Sequence, residues 1–134
     1  MHGGISAEMT GPFLKGLGFD SEFIERVKHT IICHDTGSLD KVKSVEDRIM
    51  YDADKLQVIG PLGFCRGVPY FVMFKDMKLE EAVQKQKNMQ IRVFEKNLQT
   101  KTAKKIAKHS YEVTQEFFRL FDIWDKAELE KLKE

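Results

Sequence analysis

The sequence is short of several things, and each shortage excludes a class of protein. Only two cysteines occur in 134 residues, Cys33 and Cys65, with no CxxC partner for either, so a disulfide-stapled scaffold is excluded. Nothing ahead of them reads as a signal peptide. The longest apolar run, Val68–Phe74, is far below the roughly 20 residues that a membrane span needs. Charge of one sign is missing too: 22 basic against 21 acidic side chains leave +1, which removes the electrostatic case for a dedicated nucleic-acid binder. There are three prolines, at 12, 61 and 69, and no repeat, low-complexity tract or long linker. What is present is ample apolar content: Leu, Ile, Val and Phe number 38, enough to exclude disorder. The expectation is one soluble cytoplasmic globular domain spanning 1–134.

The charge is segregated. Residues 1–74 sum to −2, residues 75–108 to +6 and residues 109–134 to −3. The basic middle suits an anionic ligand, and it equally suits a solvated lysine-rich helix face.

Periodicity predicts an all-α fold. Ile5, Met9, Phe13 and Leu17 fall four apart over a first segment, Ser6–Lys15, that Pro12 should kink or break. Asp20 or Ser21 caps a second helix carrying Phe23, Ile24, Val27, Ile31 and Ile32, and Gly37-Ser38 opens a loop up to Ser44. Ser44 with Asp47 three residues on resembles a capping box. The helix it starts should carry Val45, Ile49, Leu56 and Ile59 inward and run to about Gly60. Gly60-Pro61 restarts a helix in which Pro69 predicts an interruption, although Val68–Phe74 has a strand-like composition. Lys78 or Leu79 opens a polar helix. Beyond Thr102 an amphipathic run presents Ile106, Ala107, Val113, Phe117, Phe121 and Trp124.

Four histidines and the triplet Asp52-Ala53-Asp54 are the candidates for chemistry. His34 is followed directly by Asp35, and imidazole with carboxylate suits a borderline divalent metal. A histidine capping its helix C-terminus accounts for the same spacing. Asp52 and Asp54 stand about 200° apart on a helix, so one site cannot use both. Asp54 is expected to face the bundle, next to the apolar stripe, with Asp52 facing elsewhere; a salt bridge to Arg48, Lys55 or another cation explains it as well. Arg66, set between apolar neighbours, suits a phosphate or carboxylate, and also an ion pair to Asp52 or Asp54. Both cysteines read as small core residues, His109 as solvent-facing, and His29 as too far round its helix to share a site with His34.

Several stretches in order resemble the HD-domain phosphohydrolases: His2-Gly-Gly-Ile-Ser6-Ala7, Ile31-Ile-Cys-His34, and Ser44-Val-Glu-Asp-Arg-Ile-Met-Tyr-Asp52-Ala-Asp54-Lys-Leu-Gln-Val-Ile-Gly60. Gly63-Phe-Cys-Arg66 and Thr100-Lys-Thr-Ala-Lys-Lys-Ile-Ala107 resemble the bacterial and archaeal branch that cleaves nucleotides. The similarity covers about residues 2–124. It implies an all-α bundle that holds one or two divalent metals (Mn, Mg, Fe or Zn) and hydrolyses a phosphorylated small molecule or nucleotide. By the same resemblance Asp54 is a ligand of the primary metal, His2 and His34 reach a second metal or the phosphates, and Lys55 and Arg66 bind phosphate.

The family's first His and His-Asp dipeptide should precede His2, and Gln57 stands where the nucleotide-cleaving branch has Asp. The expectation is therefore an HD domain lacking its first helices, with weak metal binding and negligible turnover. Such a domain would expose Phe13, Ile31 and Ile32 and cover them by homo-oligomerisation. The alternative is a catalytically inactive helical oligomeric binding module.

Overall fold

The computed structural model describes residues 2–35, 37–127 and 131, without the side chain of His2. Six α-helices follow in order among these residues: α1 His2–Gly16, α2 Ser21–Cys33, α3 Val45–Leu56, α4 Gly60–Lys75, α5 Leu79–Arg92 and α6 Lys101–Asp125. A 3₁₀ turn, Leu39–Lys41, lies in the α2–α3 loop, and a π turn, Val93–Asn97, ends α5. No strand occurs among the described residues, as the periodicity predicts. None of their helices is long and apolar enough to cross a membrane.

The expected caps at Asp20 and Ser44 form, and Thr100 supplies a third, two residues before the expected start at Thr102. Asp20 Oδ1 accepts from Phe23 N at 2.9 Å, and Thr100 Oγ1 accepts from Ala103 N at 3.1 Å. At Ser44 the capping box is complete: Asp47 N donates to Ser44 Oγ at 3.0 Å, and Ser44 N donates to Asp47 Oδ2 at 3.0 Å.

Both internal prolines are carried inside continuous helices, which excludes the interruption expected at Pro69 and, of the kink or break expected at Pro12, the break. At Pro69 tertiary burial outweighs the lost hydrogen bond. Its neighbour Val68 is buried with Ala82, Val83 and Phe118, and Phe64 and Phe71 pack against that cluster. The segment that is strand-like by composition is thereby committed to helix. α3 ends at Leu56, short of Gly60, because Gln57–Ile59 form a turn whose amides bond back to Asp54, Lys55 and Leu56.

α1 packs on α2, and α2 on α3; α4, α5 and α6 form the other half, joined to the first through α3 and α6. Two buried glutamines of α5 seal the α3–α4 junction. Gln86 Nε2 donates to the carbonyls of Val58 at 3.2 Å and Gly63 at 2.9 Å. Gln90 brackets Gly60, accepting from its N–H at 3.0 Å and donating to its carbonyl at 3.2 Å. Gly60 has φ +81°, and a Cβ there would lie 2.7 Å from Ser110 Cβ.

Two expected inward stripes hold only in part: Leu56, Ile59, Ala107 and Phe121 pack in or on the core, while other members turn outward. On α3 the buried residues are Asp47, Tyr51, Asp52 and Lys55, while Val45 and Ile49 are 62% and 58% exposed. On α6 the buried face is Ala103, Ala107, Thr114, Phe118 and Ile123, while Ile106 and Trp124 are each 63% exposed. Small alanines let α6 approach Ile59, Val93 and Leu98 closely, and that contact sets its rotation. Phe13 lies at the surface as expected, whereas Ile31 and Ile32 are half-buried.

A Cβ on Gly63 would meet the Val58 carbonyl oxygen at 1.8 Å, whereas one on Gly16 would meet nothing within 4 Å. Gly63→Ala should therefore destabilise the fold by about 3 kcal/mol or more, near the top of the range for overpacking. Gly16→Ala should change it by less than about 1 kcal/mol. Urea unfolding of the two variants beside the parent checks both values.

Candidate functional site

α3 places its carboxylates in very different surroundings. Asp52 is the buried one. Its Oδ1 accepts from Gln99 N at 2.7 Å, and its Oδ2 from Thr100 N at 2.9 Å and Thr100 Oγ1 at 2.7 Å. This corrects the expectation that Asp54 aims into the bundle: the Asp54 side chain is 43% exposed, at the mouth of a cleft. The two do face different ways, as the 200° offset requires. Asp52 turns inward because three donors where the chain enters α6 satisfy its charge, which apolar neighbours could not do.

Lys55, next on the helix, is buried and gathers the residues that the resemblance singles out. Its Nζ donates to Asp54 Oδ2 at 2.7 Å and to the carbonyl of His34 at 3.0 Å, and lies 4.9 Å from the Tyr51 ring centroid. His34 ends α2, as its spacing predicts. Its Nδ1–H donates to the Ile31 carbonyl, a bond that fixes the ring with Nε2 3.8 Å from Asp35 Oδ1. Asp35 in turn abuts the first turn of α1, where a Cβ on Gly3 would lie 2.7 Å from Asp35 Oδ2. The adjoining residue is His2, whose side chain lies outside the described residues.

Arg66 stands on α4 and donates from Nη1 to Gln57 Oε1 at 2.8 Å; among the described residues it makes no ion pair to Asp52 or Asp54. Asp54, Gln57 and Arg66 line one cleft of about 410 Å³, floored by Gly63, Gly67 and Gln86. His34, Asp54 and Lys55 are thus brought together, with Arg66 across the cleft from Asp54. His109 is exposed on α6, amid the lysines of the basic segment, Lys101, Lys104, Lys105 and Lys108, which form a solvated face.

The resemblance assigns the divalent metal to His2, His34 and Asp54, of which the side chains of His34 and Asp54 are described. His34, Asp35 and Asp54 do not bring three ligand atoms together among the described residues, and the Asp54 carboxylate is already neutralised by Lys55. The one group among the described residues that does converge is His29, Cys33 and Asp47, which in the sequence read only as an outlying histidine, a core thiol and a cap. Cys65 is exposed, against its expected core position, while Cys33 is fully buried.

His29 and Cys33 sit one turn apart on α2. Cys33 Sγ lies 3.6 Å from His29 Nδ1, and His29 Nδ1 lies 3.3 Å from Asp47 Oδ1. Asp47 Oδ1 also accepts from Thr30 Oγ1 at 2.7 Å. His29 and Asp47 line the larger cleft, about 740 Å³, between α2 and α3, whose apolar wall includes Phe23, Val27, Ile31 and Met50. The i, i+4 spacing of His29 and Cys33 was readable in the sequence, but their partner on α3 was not.

Burial pushes the Asp47 carboxyl upward. The Ser44 amide, the Thr30 hydroxyl and the Lys43 amide outweigh it and hold the group well below the usual carboxylate range. Burial raises the Cys33 thiol, and the Asp47 charge adds to the rise.

No family model matches the chain, and neither a curated protein nor a solved structure matches it.

Asp47 binds a proton less readily folded than unfolded, so its contribution to stability is complete above its unfolded pKa and is lost as pH falls. The parent should lose stability progressively as pH falls below about 5, through the unfolded pKa and on toward the lower folded one. Asp47→Asn should be less stable at pH 7 by about 1–3 kcal/mol and show a shallower acid dependence. Urea denaturation at pH 7 and pH 4 tests this; equal pH slopes for parent and variant would refute it.

Proposed function

We propose that the chain is an HD-type phosphohydrolase domain that recognises a phosphorylated small molecule or nucleotide at the cleft between Asp54 and Arg66. The supporting observation is the meeting of His34, Asp54 and Lys55, drawn from stretches 21 residues apart, through the Lys55 ammonium. Arg66 presents a planar fork suited to phosphate oxygens, and its present partner Gln57 is neutral and exchangeable. Lys55 keeps Asp54 from repelling an anion entering beside it.

A divalent metal, when bound in such a domain, supplies an activated water for attack at phosphorus. By the resemblance His2, His34 and Asp54 would help to hold it, while Lys55 and Arg66 would neutralise phosphate oxygens. The pairing of the Asp54 carboxylate with Lys55 favours a second reading, a catalytically inactive module that binds the phosphorylated ligand without cleaving it.

Titration with a nucleoside triphosphate by calorimetry tests the binding. Arg66→Ala should weaken it about tenfold or more, the loss expected for a charge-assisted hydrogen bond. Turnover with added Mn²⁺ separates the two readings. Robust phosphate release that is lost in Asp54→Ala supports the hydrolase, release that survives Asp54→Ala removes this cleft from the chemistry, and binding without release supports the inactive module.

We further propose that two copies associate through the outer face of α6. Ile106, Val113, Phe117 and Trp124 repeat there at seven- and four-residue intervals and are all exposed. Sedimentation should show a dimer that Phe117→Lys converts to monomer, and a monomeric parent at high concentration would refute the pairing.

A further inference from the structure

We propose that His29, Cys33 and Asp47 form a Zn²⁺ site at the head of the cleft between α2 and α3. These residues are none of those that carry the phosphohydrolase reading, and the inference does not depend on it.

The two separations made by His29 are those of a coordination shell, and the third ligand atom lies within reach of it. With Zn–N near 2.0 Å, Zn–S near 2.3 Å and Zn–O near 2.1 Å, tetrahedral angles separate the ligand atoms by roughly 3.3 to 3.6 Å. His29 Nδ1 lies 3.3 Å from Asp47 Oδ1 and 3.6 Å from Cys33 Sγ, and all three atoms lie within 4.8 Å of one another.

The two oxygens of Asp47 divide their work. Oδ2 takes the amides of Lys43 and Ser44 at 3.2 and 3.0 Å and so caps α3. Oδ1 is turned to His29, with Thr30 Oγ1 donating to it from the side. A metal bound at Oδ1 therefore leaves the cap intact and inherits the Thr30 hydroxyl as an outer support. His29 gives up only its Nδ1 proton and its bond to Asp47. Cys33 gives up its S–H bond to the Lys41 carbonyl, 3.4 Å away, and its proton passes to solvent as the Zn–S bond forms.

The donor set selects the metal. A thiolate with an imidazole favours Zn²⁺ and disfavours Mg²⁺ or Ca²⁺, which take oxygen. His29 is about half exposed and lines the cleft, so the fourth position opens to water.

Chelator-treated full-length Cys65→Ser protein, which keeps Cys33 as its one thiol, is titrated with Co²⁺ as a spectroscopic probe and then displaced with Zn²⁺. The expected result is one Co²⁺ per chain with a thiolate-to-cobalt charge-transfer band that Zn²⁺ abolishes. Cys33→Ala should remove the band. His29→Gln, changed at a half-exposed position and checked for helicity by circular dichroism, should weaken binding about tenfold or more. Asp54→Ala should leave the affinity unchanged within about twofold, which separates this site from the phosphate cleft. Absence of the band, or unaltered affinity in folded His29→Gln, overturns the proposal.

Discussion

The buried carboxylate of Asp52 decides where α6 begins. Two backbone amides and a hydroxyl converge on it from Gln99 and Thr100, 47 and 48 residues away in the chain. Charge-assisted hydrogen bonds of this kind contribute about 1.5–3 kcal/mol each, and removing the acceptor would leave buried donors without partners. Once Thr100 is held there, its hydroxyl caps α6, and Ala103 and Ala107 come to rest against Ile59, Val93 and Leu98. The outer position of Ile106, Val113 and Phe117 follows from that rotation alone.

Asp47 does for α2 what Asp52 does for α6. It accepts from Thr30 on α2 and from the loop amides that lead into α3. α3 is thus clamped from both sides by carboxylates, and its third buried charge, Lys55, is balanced by Asp54 and the His34 carbonyl. Buried ions are stabilising only when fully partnered, and these are partnered by elements distant in sequence. A polar stripe can then occupy the inward face of a helix whose apolar residues Val45 and Ile49 face out.

That is why some features were legible in the sequence and others were not. The caps at Asp20 and Ser44 and the helix start at Gly60-Pro61 are local, and the residues beside them carry the whole signal. The inward faces of α3 and α6 are not local. Periodicity places apolar residues inside, and it cannot see a donor set 47 residues away that makes Asp52 the better buried residue. Pro69 was misread for a related reason, since the burial of Val68 against α5 and α6 is invisible to a rule about one backbone hydrogen bond. The contact of Lys55 with the His34 carbonyl and that of His29 with Asp47 both depend on how α2 packs on α3, and in the sequence alone Asp47 is visible only as a cap.

The two candidate sites share one rigid support. Asp47 and Asp54 are seven residues apart on α3, about 10 Å along its axis, and His29 and His34 are five apart on α2. Each site takes one residue from α2 or its C-terminal cap and one carboxylate from α3, so the α2–α3 pair presents two polar groupings at different levels of a single interface. Five residues on α2 and seven on α3 correspond to rises of about 7.5 and 10.5 Å, and the mismatch is absorbed by the chemistry at each end. At the Asp47 level the imidazole meets the carboxylate directly, at 3.3 Å. At the Asp54 level the gap is filled by the Lys55 ammonium, which reaches the backbone of His34 while the ring turns toward Asp35. A direct imidazole–carboxylate contact at one end and a lysine-bridged carboxylate at the other are therefore two consequences of the same helix pairing.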